Sequence, residues 1–159
     1  MTHVENDSLY LLLLETLKTT FETMAFAETT PCSHARMHRP DERSLWARIG
    51  VESDDIAALV LSVPHESADE LFQTMYPDFE QIENQEQALR DMTAEIANVI
   101  TGRFMLDYRE GCHDFLLTVP EIGSGECELP DTAVACRCVV EDTLPVIAAV
   151  IPTVAKSIA

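Results

Sequence analysis

Apolar residues recur at three- and four-residue steps near the start of the chain, at Leu9, Leu12, Leu13, Leu17, Phe21 and Met24, with Glu15, Lys18 and Glu22 on the other side. That is the pattern of a half-buried helix, and Asn6, Asp7 and Ser8 just ahead of it are good N-caps. From residue 32 to 64 the period shortens to an alternation. Segments 44–52 and 56–63 read as strands joined by the acidic turn Ser53, Asp54, Asp55, which predicts an antiparallel hairpin. Residues 67–76 set Leu71, Phe72 and Met75 on one helical face, and Pro77 ends that short helix. The longest helical signal covers 85–107, and 114–119, 133–140 and 146–151 are strand-like. There is no regular βαβ alternation, so the prediction is α+β: one domain over 1–159, an antiparallel sheet packed against two long helices and a short helix.

Composition and charge narrow the function. The chain has 159 residues, 47% of them hydrophobic, and sets 10 Lys and Arg against 28 Asp and Glu for a net charge of −18. A chain of this length buries roughly 70% of its unfolded surface, enough for a core without disulfide staples. Phosphate backbones and anionic membranes require clustered Lys and Arg, so no nucleic acid and no membrane is expected as partner. The 5 Cys lack paired spacing and suit a reducing compartment. The apolar run 9–14 has no basic residues ahead of it, and the run 144–155 is too short to cross a bilayer, so the expected location is cytoplasmic.

Four smaller features have weaker chemistry. Cys32, His34 and His38 would share one strand face, but no fourth ligand follows at a zinc-like spacing, which leaves open whether they bind anything. Cys136 and Cys138 read as small buried side chains, and Trp46 as core. Cys112 with His113 lacks the orienting group a nucleophilic site needs.

The 85–107 helix is the place where chemistry concentrates. Plotted at about 100° per residue, Leu89, Met92, Ile96, Val99 and Ile100 form a core stripe, and Asp91, Glu95, Asn98 and Gly102 fall within an arc of about 60° beside it. An amphipathic helix accounts for a charged face of this kind. Yet Asp91 and Glu95 are like charges four residues apart, a cost of a few tenths of a kcal/mol, roughly, and Glu95 has no Lys or Arg among its helical neighbours. Gly102 costs about 1 kcal/mol relative to Ala and leaves the helix bare directly below Asn98, as if another surface approaches there.

The longer spacing gives the ridge a meaning. Asp91 is followed after three residues by Glu95, after two more by Asn98, and after 21 more by Pro120. This resembles the signature of the CheC/CheX/FliY family of chemotaxis phosphatases, an Asp or Ser followed by E-x-x-N on a helix with a proline downstream. The stretch EIANVITGRF resembles that family's motif helix, and VPEIGSG resembles its proline segment. Asn6, Asn84 and Asn98 are the only asparagines, and Glu15 is followed at the third position by Lys18 and Glu22 by Ala25, so one motif is present and the chain is CheX-like.

The resemblance implies a phosphatase acting on the aspartyl phosphate of a CheY-like response regulator. It implies that Asn98 holds the attacking water and that Glu95 pairs with the regulator's active-site lysine, with Asp91 and Gly102 at the binding ridge. Asp91 either assists docking or simply favours the first turns of the helix. The phosphoacceptor and Mg²⁺ would belong to the regulator, with no cofactor of the chain's own, and a homodimer is implied. The alternative within the same resemblance is a non-catalytic CheX-like module that docks or sequesters a regulator.

Overall fold

The computed structural model describes residues 3–32 and 43–154. In chain order it contains α1 (His3–Ala25), β1 (Thr29–Pro31), β2 (Leu45–Glu52), β3 (Ile56–Val63), α2 (His65–Met75), a 3-10 turn (Phe79–Gln81), α3 (Gln85–Tyr108), β4 (Leu116–Leu117), β5 (Glu121–Ser124), β6 (Val134–Val140) and β7 (Leu144–Pro152). The strands form one antiparallel sheet in the order β1-β6-β7-β3-β2-β4, with β5 beside β2 as well. The α+β class and the β2–β3 hairpin are as the sequence predicts. Ser53 tightens the hairpin turn, its Oγ donating to the Ile56 carbonyl at 2.9 Å.

Alternation decides which face of each strand enters the core. Leu45, Ala47, Ile49 and Val51 of β2 are buried while Trp46, Arg48 and Gly50 between them are half-buried, and Val134, Cys136, Cys138 and Val140 of β6 repeat the pattern. These inward residues meet a helix layer in which α1 lies over β6 and β1, and α3 over β2 and β3, with the two helices against each other. Both helices bury threonines, and Thr16, Thr20, Thr93 and Thr101 each satisfy their hydroxyl on the carbonyl four residues back. A polar side chain that bonds its own helix can enter a packed interface without leaving an unpaired donor.

The central strands β3 and β7 are buried along nearly their whole length on both faces. On the face away from the helices, Ala58, Val60 and Ile151 gather a second apolar cluster with Cys127 and Ala133 from the segment that crosses it. This explains the continuous apolar run at the C-terminal end, because a strand covered on two sides needs no polar alternation.

Several features differ from the sequence prediction. α1 begins at His3, so Asn6, Asp7 and Ser8 lie inside the helix and do not cap it, and Ser8 Oγ bonds back to the Val4 carbonyl at 3.1 Å. The strand expected at 114–119 shrinks to Leu116–Leu117, because Asp114 is drawn away by Arg109, and Thr118 spends its Oγ1 on the Gly50 amide at 2.9 Å. The short strands β1 and β5 carry no period of their own. Trp46 is not in the main core. It is half-buried on the face opposite the helices, its ring so close over Gly123 that a Cβ there would lie 2.2 Å from Cζ2.

Candidate functional site

Asn84 starts α3, its Oδ1 accepting from the Gln87 amide at 3.1 Å. From there the helix is enclosed on most sides. Leu89, Met92, Ile96 and Ile100 of the predicted stripe are buried and Val99 is half-buried, while Thr93, Ala94, Ala97, Thr101, Phe104 and Met105 are buried too. The sheet, α1 and α2 all pack on it. Apart from Gln85 and Glu86 in its first turn and Asp107 near its end, what remains outside is one narrow stripe of Gln87, Asp91, Glu95 and Asn98, all exposed, with Gly102 half-buried at its end. The structure therefore brings the four predicted ridge residues together on an open surface.

The members of the stripe differ in how they are held. Gln87 Nε2 donates to Asp91 Oδ1 at 2.8 Å, which fixes Asp91 within its own helix. Gln87 was not singled out from sequence, although its position four residues before Asp91 is the spacing at which helical side chains meet. Among the described residues, Glu95 and Asn98 make no side-chain hydrogen bond or ion pair, while the nearby cation Arg90 already lies 3.8 Å from Glu86. Glu86 also takes His65 Nε2 at 2.7 Å, tying the start of α2 to the start of α3. Glu95 thus presents a carboxylate, and Asn98 an amide, on exposed positions where neither has a partner among the described residues.

Gly102 has room around it. A Cβ would meet only Leu117 Cδ1, at 3.9 Å, an ordinary contact. The glycine is not demanded by crowding within the chain; it leaves the surface below Asn98 flat. Leu116 and Val119 nearby in sequence to Leu117 are 67% and 88% exposed, and Pro120 follows, half-buried, between β4 and β5. Leu117 therefore borders the end of the polar ridge at Gly102. Leu117 was not singled out from sequence as part of the site, although it falls within the strand-like stretch 114–119.

One arginine holds the far end of α3. Arg109 Nη1 donates to Asp55 Oδ2 at 2.9 Å, and its Nε donates to Asp114 Oδ1 at 3.0 Å, with Nη2 on Asp114 Oδ2. This fork holds the Asp114 carboxyl below the usual carboxylate range and raises the guanidinium further. It fastens the helix end to the β2–β3 turn and to the loop that leads into β4.

The other candidates resolve differently. Cys136 and Cys138 are buried, and burial pushes the Cys136 thiol up to about 11 and the Cys138 thiol higher still, so neither is a nucleophile at neutral pH. Cys112 and His113 are exposed on the loop after α3. Cys32 follows β1, its amide donating to the Arg137 carbonyl at 2.9 Å, whereas His34 and His38 lie outside the described residues. Among the described residues no group of His, Cys, Asp and Glu could hold a metal ion, and no helix is long and apolar enough to cross a membrane.

No family model and no curated protein matches the sequence. Solved structures do match. A putative chemotaxis protein from Desulfovibrio vulgaris Hildenborough is 15% identical with a TM-score of 0.73, covering 92% of this chain and 97% of that one. Chemotaxis protein CheX from Vibrio vulnificus is 18% identical with a TM-score of 0.72, covering 92% and 99%. The CheX–CheY–BeF3–Mg²⁺ complex from Borrelia burgdorferi is 16% identical with a TM-score of 0.69, covering 91% and 98%. At these identities the likeness is one of fold: the antiparallel sheet and its helix layer are those of the CheX chemotaxis proteins.

Proposed function

We propose that this chain serves a chemotaxis-type signalling pathway by accelerating hydrolysis of the aspartyl phosphate on a CheY-like response regulator. The observation that carries the reading is the state of Glu95 and Asn98: one helical turn apart, exposed, and without partners among the described residues. The complex of CheX with CheY, Mg²⁺ and BeF3, a stand-in for a phosphoryl group, supports the same kind of partner for a chain of this fold.

In this mechanism the α3 ridge enters the regulator's active site. Glu95 takes the regulator's lysine in a charge-assisted pair, the local attraction that overcomes a net charge of −18. Asn98 accepts one hydrogen bond from a water and donates another to it, aiming its oxygen at phosphorus opposite the aspartyl oxygen. Water attacks, the phosphorus–aspartyl oxygen bond breaks, and the products are inorganic phosphate and a free aspartate. An amide takes no proton, and none is demanded of it, because an acyl phosphate is labile and its transition state loose. Positioning is the contribution, and Mg²⁺ on the regulator neutralises charge. Gly102 keeps the surface below Asn98 flat for the incoming loop, and Asp91 steadies the ridge's edge.

The test is phosphate release from phosphorylated regulators, with and without the chain. Acceleration by the native protein that disappears in Asn98→Ala supports the enzyme. The alternative, a non-catalytic module, requires binding of the regulator with no change in the lifetime of its phosphoryl group. A homodimer, as the resemblance implies, is checked by light scattering.

A further inference from the structure

The sheet face turned away from the helices carries a groove that has no connection with the α3 ridge. It has a volume of about 420 Å³ and lies between strands β3, β6 and β7 and the segment 126–129 that passes over them. Val60, Ile147 and Ala149 give it an apolar floor and Leu129 an apolar side. Arg137 projects into it from β6.

Arg137 is out of keeping with its chain. Carboxylates outnumber cations 28 to 10, yet among the described residues Arg137 makes no ion pair, and its Nε is buried without a hydrogen-bond acceptor. Glu126 and Glu128 line the same groove, but neither pairs with it. Cys127 beside them offers no thiolate, because burial raises its thiol against the opposing pull of Arg48. A buried guanidinium donor left unpaired is costly, and its fork fits a carboxylate. A simple anion reaching it would pass two like charges on the rim. A zwitterion turns that repulsion into a second attraction.

We propose that this groove binds a free α-amino acid with an aliphatic side chain, its carboxylate on Arg137, its ammonium between Glu126 and Glu128, and its side chain on Val60, Ile147 and Leu129. Each part of the ligand then meets its chemical complement: fork to carboxylate, carboxylates to ammonium, apolar floor to hydrocarbon.

Calorimetric titration with free leucine, 4-methylpentanoate and 3-methylbutylamine tests this, since the last two lack the ammonium and the carboxylate respectively. The native chain is expected to bind leucine saturably and each analogue at least tenfold more weakly. Arg137→Met is expected to lose leucine binding while melting no lower than the native chain, because it removes an unpaired buried donor. The double variant E126Q/E128Q is expected to weaken leucine and to strengthen 4-methylpentanoate. Absence of saturable leucine binding overturns the proposal, as does 4-methylpentanoate binding as well as leucine, or Arg137→Met binding leucine like the native chain. If Arg137→Met does not fold, the double variant decides, and unchanged leucine affinity in it overturns the proposal.

Discussion

The two long helices lie side by side on the same sheet, and each carries a glutamate on its open face followed three residues later by a polar side chain. On α1 that pair is Glu15 and Lys18, with Nζ 3.6 Å from Oε1; on α3 it is Glu95 and Asn98, with no internal partner among the described residues. Lys18 neutralises Glu15 and occupies it. Asn98 can do neither for Glu95, since an amide has no charge to give. The difference separates a helix face whose charge is settled within the chain from one whose carboxylate and amide stand exposed without a partner among the described residues.

Making α3 resemble α1 is the sharpest way to break this contrast. Asn98→Lys recreates the Glu–Lys pair and is expected to abolish accelerated dephosphorylation, a loss of about 10²-fold or more, while stabilising the fold by roughly 0.2–0.5 kcal/mol in thermal unfolding. Glu95→Gln keeps the shape and removes the charge, so the regulator concentration needed for half-maximal rate should rise by roughly 10–100-fold, the worth of a charge-assisted hydrogen bond, with a smaller change in maximal rate. Gly102→Ala pulls two ways. Its Cβ meets only Leu117 at 3.9 Å, so the helix should gain about 1 kcal/mol, whereas docking should weaken; equal gains in both would show that nothing approaches there.

The smallest expected effect concerns the Arg109 fork. Arg109 lowers the Asp114 carboxyl in the folded state, so the pair contributes stability above the ordinary aspartate range that is lost as the pH falls through the lowered value. Melting curves across acidic pH should show Asp114→Asn flattening that fall slightly, and salt should shrink the difference because the pair is exposed.

Much of the helix chemistry was legible because it is local. The 3.6-residue period placed α3 within a residue of its observed end, and the same period put Asp91, Glu95, Asn98 and Gly102 on one line. The enclosure of α3 was less legible: Thr93, Ala94, Ala97 and Thr101 look neutral in a hydrophobic pattern, yet they are buried because the neighbouring helix and the sheet come close. The strands β1 and β5 were invisible for a different reason. Three or four residues pair there because β6 and β2 present open edges, a fact of the tertiary fold that no residue in Thr29–Pro31 or Glu121–Ser124 records. The face on which Trp46 stands depends in the same way on Gly123, 77 positions distant in sequence, offering a bare backbone for the ring.

That placement of Trp46 has a practical side. It is the single tryptophan of the chain, it pairs across the sheet with Ser62, and Ser62 lines the groove beneath Arg137. The indole is therefore a built-in fluorophore stationed behind the sheet: its emission should respond to events in that groove and stay silent when the opposite side engages another protein, so one optical channel can tell the two apart without any label.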